Sequence, residues 1–290
     1  MSSGAARHDA DRIGPTAHYT GYVWQRLHLP YAHHLATTQG AVLYWGFFAL
    51  GEWTTRVLPG VPSMRGYLAY RHLLIDALLE DLAPDRLIEL GAGLTPRTLQ
   101  WAIDRDVACV DVDLPDMIDT KRRALERLPD SLRRRAMARL ALQPADVLAP
   151  DFAATLRALV AGAKRPAIVA EGLVSYFDAD ARAALMRVVA DALADGGDFV
   201  VDLHTADAQA QLGRATRVLR GAIKALTRRR HALDPLRDRT ALHGALADAG
   251  FVGSRILDAR DWVRRVPALG RLSSPAHVVH AWRSNGAAPR

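Results

Sequence analysis

The sequence predicts a doubly wound α/β protein, a mostly parallel sheet covered on both faces by helices. Three observations predict it. From Pro84 onward, short runs of strand-forming residues alternate with longer helical patterns, an arrangement that makes successive strands run parallel through helical crossovers. The first run, Arg86-Leu87-Ile88-Glu89-Leu90, leads into a glycine turn, Gly91-Ala92-Gly93, and then a helix. A later run, Asp198-Phe199-Val200-Val201-Asp202-Leu203, has the Val-Val centre of a strand buried on both faces.

The elements follow in order. Residues 86–90 form the first strand, 95–104 a helix and 107–112 the second strand. Residues 115–128 are helical, 137–142 are expected as the third strand and 150–162 as a helix. The fourth strand is 167–170, entered through Pro166, and Asp178 caps a helix reaching Ala194. Gly196-Gly197 ends that helix and feeds the fifth strand, 198–203. Residues 206–235 break the rhythm: rich in Arg and Ala and too long for a plain connection, they are expected to form a helical cap. A helix over 239–249 ends at Gly250 in the left-handed region, and strands at 255–257 and 276–282 are expected to pair as an antiparallel hairpin at the sheet edge. Residues 1–83 carry Tyr19, Tyr22, Trp24, Tyr44, Trp45, Phe47, Phe48 and Trp53. They are expected to form an N-terminal helical lid, with its aromatics packed on the sheet in preference to lining a ligand. The organisation is therefore a lid at 1–83 and a sheet domain at 84–290, with the cap inserted at 206–235.

Composition narrows the function classes. A chain of 290 residues, 50% hydrophobic and 24% charged, without a low-complexity tract, builds a core and is neither disordered nor fibrous. Its single cysteine, Cys109, forms no intramolecular disulfide and no thiolate zinc cluster, and the first residues lack a basic-then-apolar leader pattern. A reducing cytoplasm is the expectation. The apolar stretch 40–50 falls short of the roughly 20 residues that span a bilayer, so no membrane partner is expected. A net charge of +7 and a pI near 10.0 raise the question of nucleic acid. The arginines are dispersed, however, with runs only at 133–135 and 228–230 and no stripe of stacking aromatics, so no nucleic-acid partner is expected. His28, His33 and His34 lie close in sequence, but adjacent histidines on a helix point apart, and no metal site is expected. There is no G-x-S-x-G elbow, Walker A loop or H-E-x-x-H, which removes the chemistry of hydrolases, nucleotide triphosphatases and zinc peptidases.

The glycine turn is where the chemistry is expected. Gly91 and Gly93 let the backbone approach a ligand closely at a strand end. A dinucleotide fingerprint would place a third glycine at position 96; Pro96 stands there, behind Thr95 as a natural N-cap, which disfavours a pyrophosphate. A cofactor with an adenosine and a cationic or zwitterionic tail, such as S-adenosylmethionine, suits such a turn if an acid at the end of the second strand takes its ribose diol. Asp111 and Asp113 alternate there and share a side of the strand, so either can serve; Asp113 is favoured and Asp111 second. His204, just past the fifth strand, is the candidate general base, because strand carboxyl ends line the crevice of such sheets. Tyr176 is a candidate for orienting the acceptor by its hydroxyl.

Four segments together, Arg71-His72-Leu73-Leu74-Ile75-Asp76-Ala77-Leu78-Leu79, Glu89-Leu90-Gly91-Ala92-Gly93-Leu94-Thr95-Pro96-Arg97, Val112-Asp113-Leu114-Pro115 and Glu171-Gly172-Leu173-Val174-Ser175-Tyr176-Phe177, resemble the leucine carboxyl methyltransferase family. The resemblance covers about residues 60–205 and includes the bacterial branch that acts in polyketide and other secondary metabolism. It implies a class I S-adenosylmethionine-dependent methyltransferase with a seven-stranded, Rossmann-like sheet, acting on an oxygen of a small-molecule carboxylate or hydroxyl. It further implies that Arg71 holds the cofactor carboxylate, Gly91 and Gly93 pass under the methionine moiety and Asp113 takes the ribose. Asp146 with Val147 would flank the adenine, and Glu171 would lie beside the sulfonium. The family commonly has Asp-Thr-Arg where this chain has Thr95-Pro96-Arg97: the arginine survives, the acid is lost, and Glu89 is left to receive the methionine amino group. Two other readings remain: an NAD(P)-dependent reductase, which lacks a third glycine and a Tyr-x-x-x-Lys pair here, and a methyltransferase-like domain that binds without turnover.

Overall fold

The computed structural model describes residues 3–49, 63–210, 235–274 and 276–283. Seven strands form one sheet in the order β3-β2-β1-β4-β5-β7-β6. They are β1 (Arg86–Leu90), β2 (Ala108–Asp113), β3 (Leu140–Pro144), β4 (Pro166–Ala170), β5 (Asp198–His204), β6 (Gly253–Ile256) and β7 (Ala276–Trp282). The first five run parallel, and β7 is antiparallel to both β5 and β6. The expected hairpin exists, but β7 slots between β5 and β6, so β6 is the edge. The strand order reverses between β1 and β4, the place where sheets of this kind open a crevice at their carboxyl ends.

The helices in chain order are α1 (Ser3–Arg26), α2 (Ala32–Leu35), α3 (Thr38–Ala49), α4 (Met64–Leu82), α5 (Arg97–Asp104), α6 (Pro115–Glu126), α7 (Asp130–Arg139), α8 (Phe152–Val160), α9 (Ala179–Ala192), α10 (Ala206–Ala210) and α11 (Arg239–Asp248). Alternate strand residues feed two cores, as the period of two requires. On one face Leu87, Cys109, Val169 and Val200 pack with Leu74, Ile75 and Leu78 of α4, Leu99 of α5 and Met117 of α6. On the other, Ile88, Val110, Ile168 and Val201 pack with Phe152 of α8, Met186 of α9 and Leu246 of α11. A third cluster joins Tyr19 and Trp24 of α1 to Tyr44 and Phe47 of α3, so these aromatics are core residues, but they pack among themselves and not on the sheet as expected. Trp45 differs, standing 47% exposed on α3.

Two further expectations are corrected. The third strand starts at Leu140, and Met137 is an exposed residue near the end of α7. The run from Ala136 to Leu142 suits either state, and Asp130 in the first turn with Arg139 in the last favours helix through residue 139. Asp178 caps α9 as anticipated, accepting from the Ala181 N–H, and Gly250 takes φ +104° after α11. The side chain of Thr95 is not an N-cap by hydrogen bonding to the second or third helical amide; its hydroxyl lies 3.4 Å from the Arg97 N–H, and Pro96 occupies the capping position. Of the predicted cap, α10 is described and residues 211–234 lie outside the described residues, as does Trp53. The two ends of that insertion meet: the Ala206 N–H donates to Leu236 O and the Leu236 N–H to His204 O. No described helix is long and apolar enough to cross a membrane.

Candidate active site

The turn after β1 bends with Gly91 at φ +63° and Gly93 at φ +49°, a region that side-chain-bearing residues enter at a cost. Each glycine also meets a neighbour closely. A Cβ at Gly91 would stand 2.7 Å from Leu173 Cδ1, and one at Gly93 would stand 3.2 Å from Ala17 Cβ. The lid helix α1 therefore lies directly on the turn, and its Gly21 permits that approach, since a Cβ there would be 2.8 Å from Leu94 Cβ.

Asp113, at the carboxyl end of β2, faces the same turn. Its Oδ2 accepts from the Gly93 N–H at 2.6 Å and its Oδ1 from the Leu114 N–H at 2.7 Å. Burial pushes the Asp113 carboxyl up, and these two amides and the Lys121 charge oppose that. Asp146 and Val147 follow on the adjoining strand end, joined to Asp113 through the Ala145 N–H, which donates to Asp113 O. Asp146 accepts from the Leu148 N–H, and Val147 is partly buried against the second core. Asp111 has a different task from the one expected as an alternative. It is fully buried, accepts from the Thr98 hydroxyl at 2.7 Å, and stands 2.6 Å from Lys121 Nζ, in the alignment of an ion pair rather than a hydrogen bond. It anchors α5 and α6 to the sheet.

Behind the turn, at the ends of β1, β4 and β5, lies a buried ionic network centred on Arg97. Its Nε donates to Asp76, its Nη1 to Glu89 and its Nη2 to Glu171, at 2.5, 2.5 and 2.7 Å. Arg71 donates to Glu171 from Nε at 2.9 Å and to Asp202 and the Tyr67 hydroxyl from Nη1 at 3.4 and 3.0 Å. His72 Nδ1 stands 3.0 Å from Glu171 Oε2, and the ring lies against Trp24 of the lid with centroids 4.4 Å apart. Four carboxylates, of Asp76, Glu89, Glu171 and Asp202, thus meet two guanidinium groups and the His72 ring, whose Nε2 stands 3.3 Å from Asp76.

That imbalance shows in the individual groups. Glu171 is buried, which by itself raises a carboxyl, but His72, Arg97 and Arg71 outweigh burial and hold it well below its ordinary value. Glu89 goes the other way: burial pushes it up to about 7. Arg97 divides its charge among three acids, so it offsets only part of that burial, and Oε2 of Glu89 has no hydrogen-bond partner. A buried, unpaired carboxylate oxygen costs free energy unless a donor or a cation reaches it.

His204 ends β5, half-buried, with Nε2 3.5 Å from the Tyr67 hydroxyl. It lines a cleft with Val174, Ser175, Arg182, Asp202, Leu203, Pro235 and Leu236. Tyr176 closes the short 3-10 turn Val174–Tyr176, whose shape is fixed by Gly172 at φ +69° with its N–H on Asp202 Oδ1 at 2.5 Å.

The structure therefore brings Gly91, Gly93 and Asp113 together, with Asp146 and Val147 beside them, and joins Arg71, Glu89 and Glu171 through Arg97. The sequence reading gave no role to Tyr67, His72, Asp76 or Asp202. Asp202 carried a signal, an acid inside the apolar run of β5, and Tyr67 another, a phenol one helical turn before Arg71.

The sequence profile of the leucine carboxyl methyltransferase family matches residues 27–190. No curated protein matches the sequence. Among solved structures, an O-methyltransferase family protein from Burkholderia thailandensis is similar at 17% identity and TM-score 0.53, over 96% of this chain and 74% of that one. A putative methyltransferase from Thermobifida fusca is similar at 16% and 0.50, over 85% of this chain and 88% of that one. A putative O-methyltransferase from Nostoc punctiforme shares 13% identity at TM-score 0.47 over 74% of this chain, and the chain spans 56% of its length. The likeness to the Burkholderia and Thermobifida structures is one of fold. The profile covers more than half of the sequence, including the glycine turn, Asp113 and Glu171, and the chain belongs to the leucine carboxyl methyltransferase family.

Proposed function

We propose that this protein binds S-adenosylmethionine at the carboxyl ends of β1 and β2 and methylates an oxygen, carboxylate or hydroxyl, of a small-molecule acceptor. One observation carries the reading: Glu89 Oε2 is buried without a partner in a network where four acids meet two guanidinium groups and His72. Such a site is short of positive charge, and a ligand bearing an ammonium and a sulfonium supplies it. When bound, S-adenosylmethionine offers an electrophilic methyl group on a positively charged sulfur.

The chain's own residues hold and orient. Glu89 receives the amino group. Asp113, with one lone pair of each oxygen engaged by an amide, keeps acceptor sites for the ribose hydroxyls. Asp146 and Val147 flank the adenine. Arg71 keeps Nε on Glu171 and Nη1 on Asp202 and turns Nη2, which lies against Gly172, to the cofactor carboxylate. Glu171 keeps its negative charge at the end of β4. Helix α1 covers the turn through Ala17 and Gly21 and excludes water. Tyr176 orients the acceptor. A carboxylate acceptor needs no base; for a hydroxyl, His204 takes the proton.

Incubation with methyl-labelled S-adenosylmethionine across a panel of aromatic and aliphatic carboxylic acids and phenols tests this. Label is expected in at least one acceptor. Absence of both transfer and cofactor binding overturns the reading, and binding of NADPH in its place points to the reductase.

A further inference from the structure

We propose that Tyr67 is a positioning residue that relays between Asp202 and His204 and fixes His204 in the tautomer that carries its proton on Nε2. This rests on His204 being the base for a hydroxyl acceptor. The Tyr67 hydroxyl is the junction of three elements. It accepts from Arg71 Nη1 at 3.0 Å, and lies 3.4 Å from Asp202 Oδ2 and 3.5 Å from His204 Nε2. A phenol has one proton and two lone pairs. Arg71 takes one lone pair. Burial pushes the Tyr67 hydroxyl up, with Asp202 and Glu171 adding to it and Arg71 opposing, so it stays a neutral donor.

Its proton has two places to go. Asp202 is a buried carboxylate whose Oδ1 is taken by the Gly172 N–H, and a carboxylate attracts that proton more strongly than a neutral imidazole does. With the phenol donating to Asp202, its second lone pair faces His204, and the ring must present an N–H there. The lone pair of the imidazole is then on Nδ1. Nδ1 is buried in this structure, so an acceptor hydroxyl reaches it only by displacing what packs on that edge of the ring; the proton it gives up then goes to Nδ1, and the charge created on the ring is stabilised by Asp202 through Tyr67. The contacts to Asp202 and His204 are long, as such bonds commonly are before substrate binds.

Nitrogen-15 and carbon-13 NMR of histidine-labelled full-length protein tests this without any substrate, His204 being assigned by its loss in His204→Gln. The wild-type ring is expected as the Nε2–H tautomer at pH 8. In Tyr67→Phe the tautomers are expected to mix, and the titration midpoint to fall by about one pH unit as the link to Asp202 is cut. A wild-type Nδ1–H tautomer overturns the proposal, needing no variant, as does a Tyr67→Phe spectrum identical to wild type. If the relay is found but His204→Gln leaves methyl transfer to a phenol unchanged, it is the role of His204 as base that fails.

Discussion

Arg97, in the first turn of α5, donates from Nη2 to Oε2 of Glu171 at 2.7 Å, tying the helix behind the glycine turn to the end of β4. The same guanidinium reaches Glu89 in β1 and Asp76 in α4, so one fully buried side chain sets the spacing of the elements around the crevice. Its fork of donors is the geometry such a junction needs.

Removing that fork strands its acids. Arg97→Met is expected to lower unfolding stability by about 3–5 kcal/mol, the range for breaking a buried ion pair from one side. Arg97→Lys restores only part, because a point charge cannot serve three carboxylates at once. Urea unfolding of the two variants measures this, and equal stability of Arg97→Met and wild type contradicts it.

With Glu89 as the proposed acceptor of the cofactor amino group, binding is expected to depend on pH. Its folded value of about 7 exceeds the ordinary 4.5, so the folded protein holds a proton there that the unfolded chain has released. Stability from this group therefore falls as pH rises from 4.5 to about 7, and Glu89→Gln lacks that slope. A cationic ligand favours the ionised form, so affinity for S-adenosylmethionine is expected to rise roughly tenfold from pH 6 to pH 8, with release of one proton. Calorimetry in buffers of different ionisation enthalpy reads both, and neither effect is expected in Glu89→Gln.

The glycines separate by position. Gly91→Ala places a Cβ at φ +63° and 2.7 Å from Leu173 Cδ1, and is expected to cost about 1–2 kcal/mol from the backbone alone while weakening cofactor binding. Gly244→Ala, inside α11 with nothing within 4 Å of the new Cβ, is expected to gain about 0.5–1 kcal/mol and leave binding unchanged. Thermal unfolding and calorimetry on both variants make the comparison.

Much of the sheet was legible because its strands are short runs rich in apolar residues that alternate with helical patterns; β1 and β7 fall where the pattern puts them. The α7–β3 boundary was not, because the Ala136 to Leu142 run fits both periods and only the charges of α7 separate them. The glycine turn and Asp113 were readable locally, since strand, turn and strand end are neighbours in sequence. The ionic network was not. Arg97 meets residues 21 positions before it and 74 after it, and such pairings come from the order of the strands rather than from any local spacing. Asp111 shows the limit of alternation as an argument: it shares a side of β2 with Asp113, yet α5 and α6 enclose it.

The central claim is that the turn at Gly91 and Gly93, with Asp113, holds the adenosyl group. Calorimetric titration of S-adenosylmethionine into wild type and Asp113→Ala tests it most directly. The account predicts binding by wild type and an affinity loss of about tenfold or more in Asp113→Ala, the size of one or two lost charge-assisted hydrogen bonds. Equal affinity in the two proteins, or no binding by wild type, contradicts it.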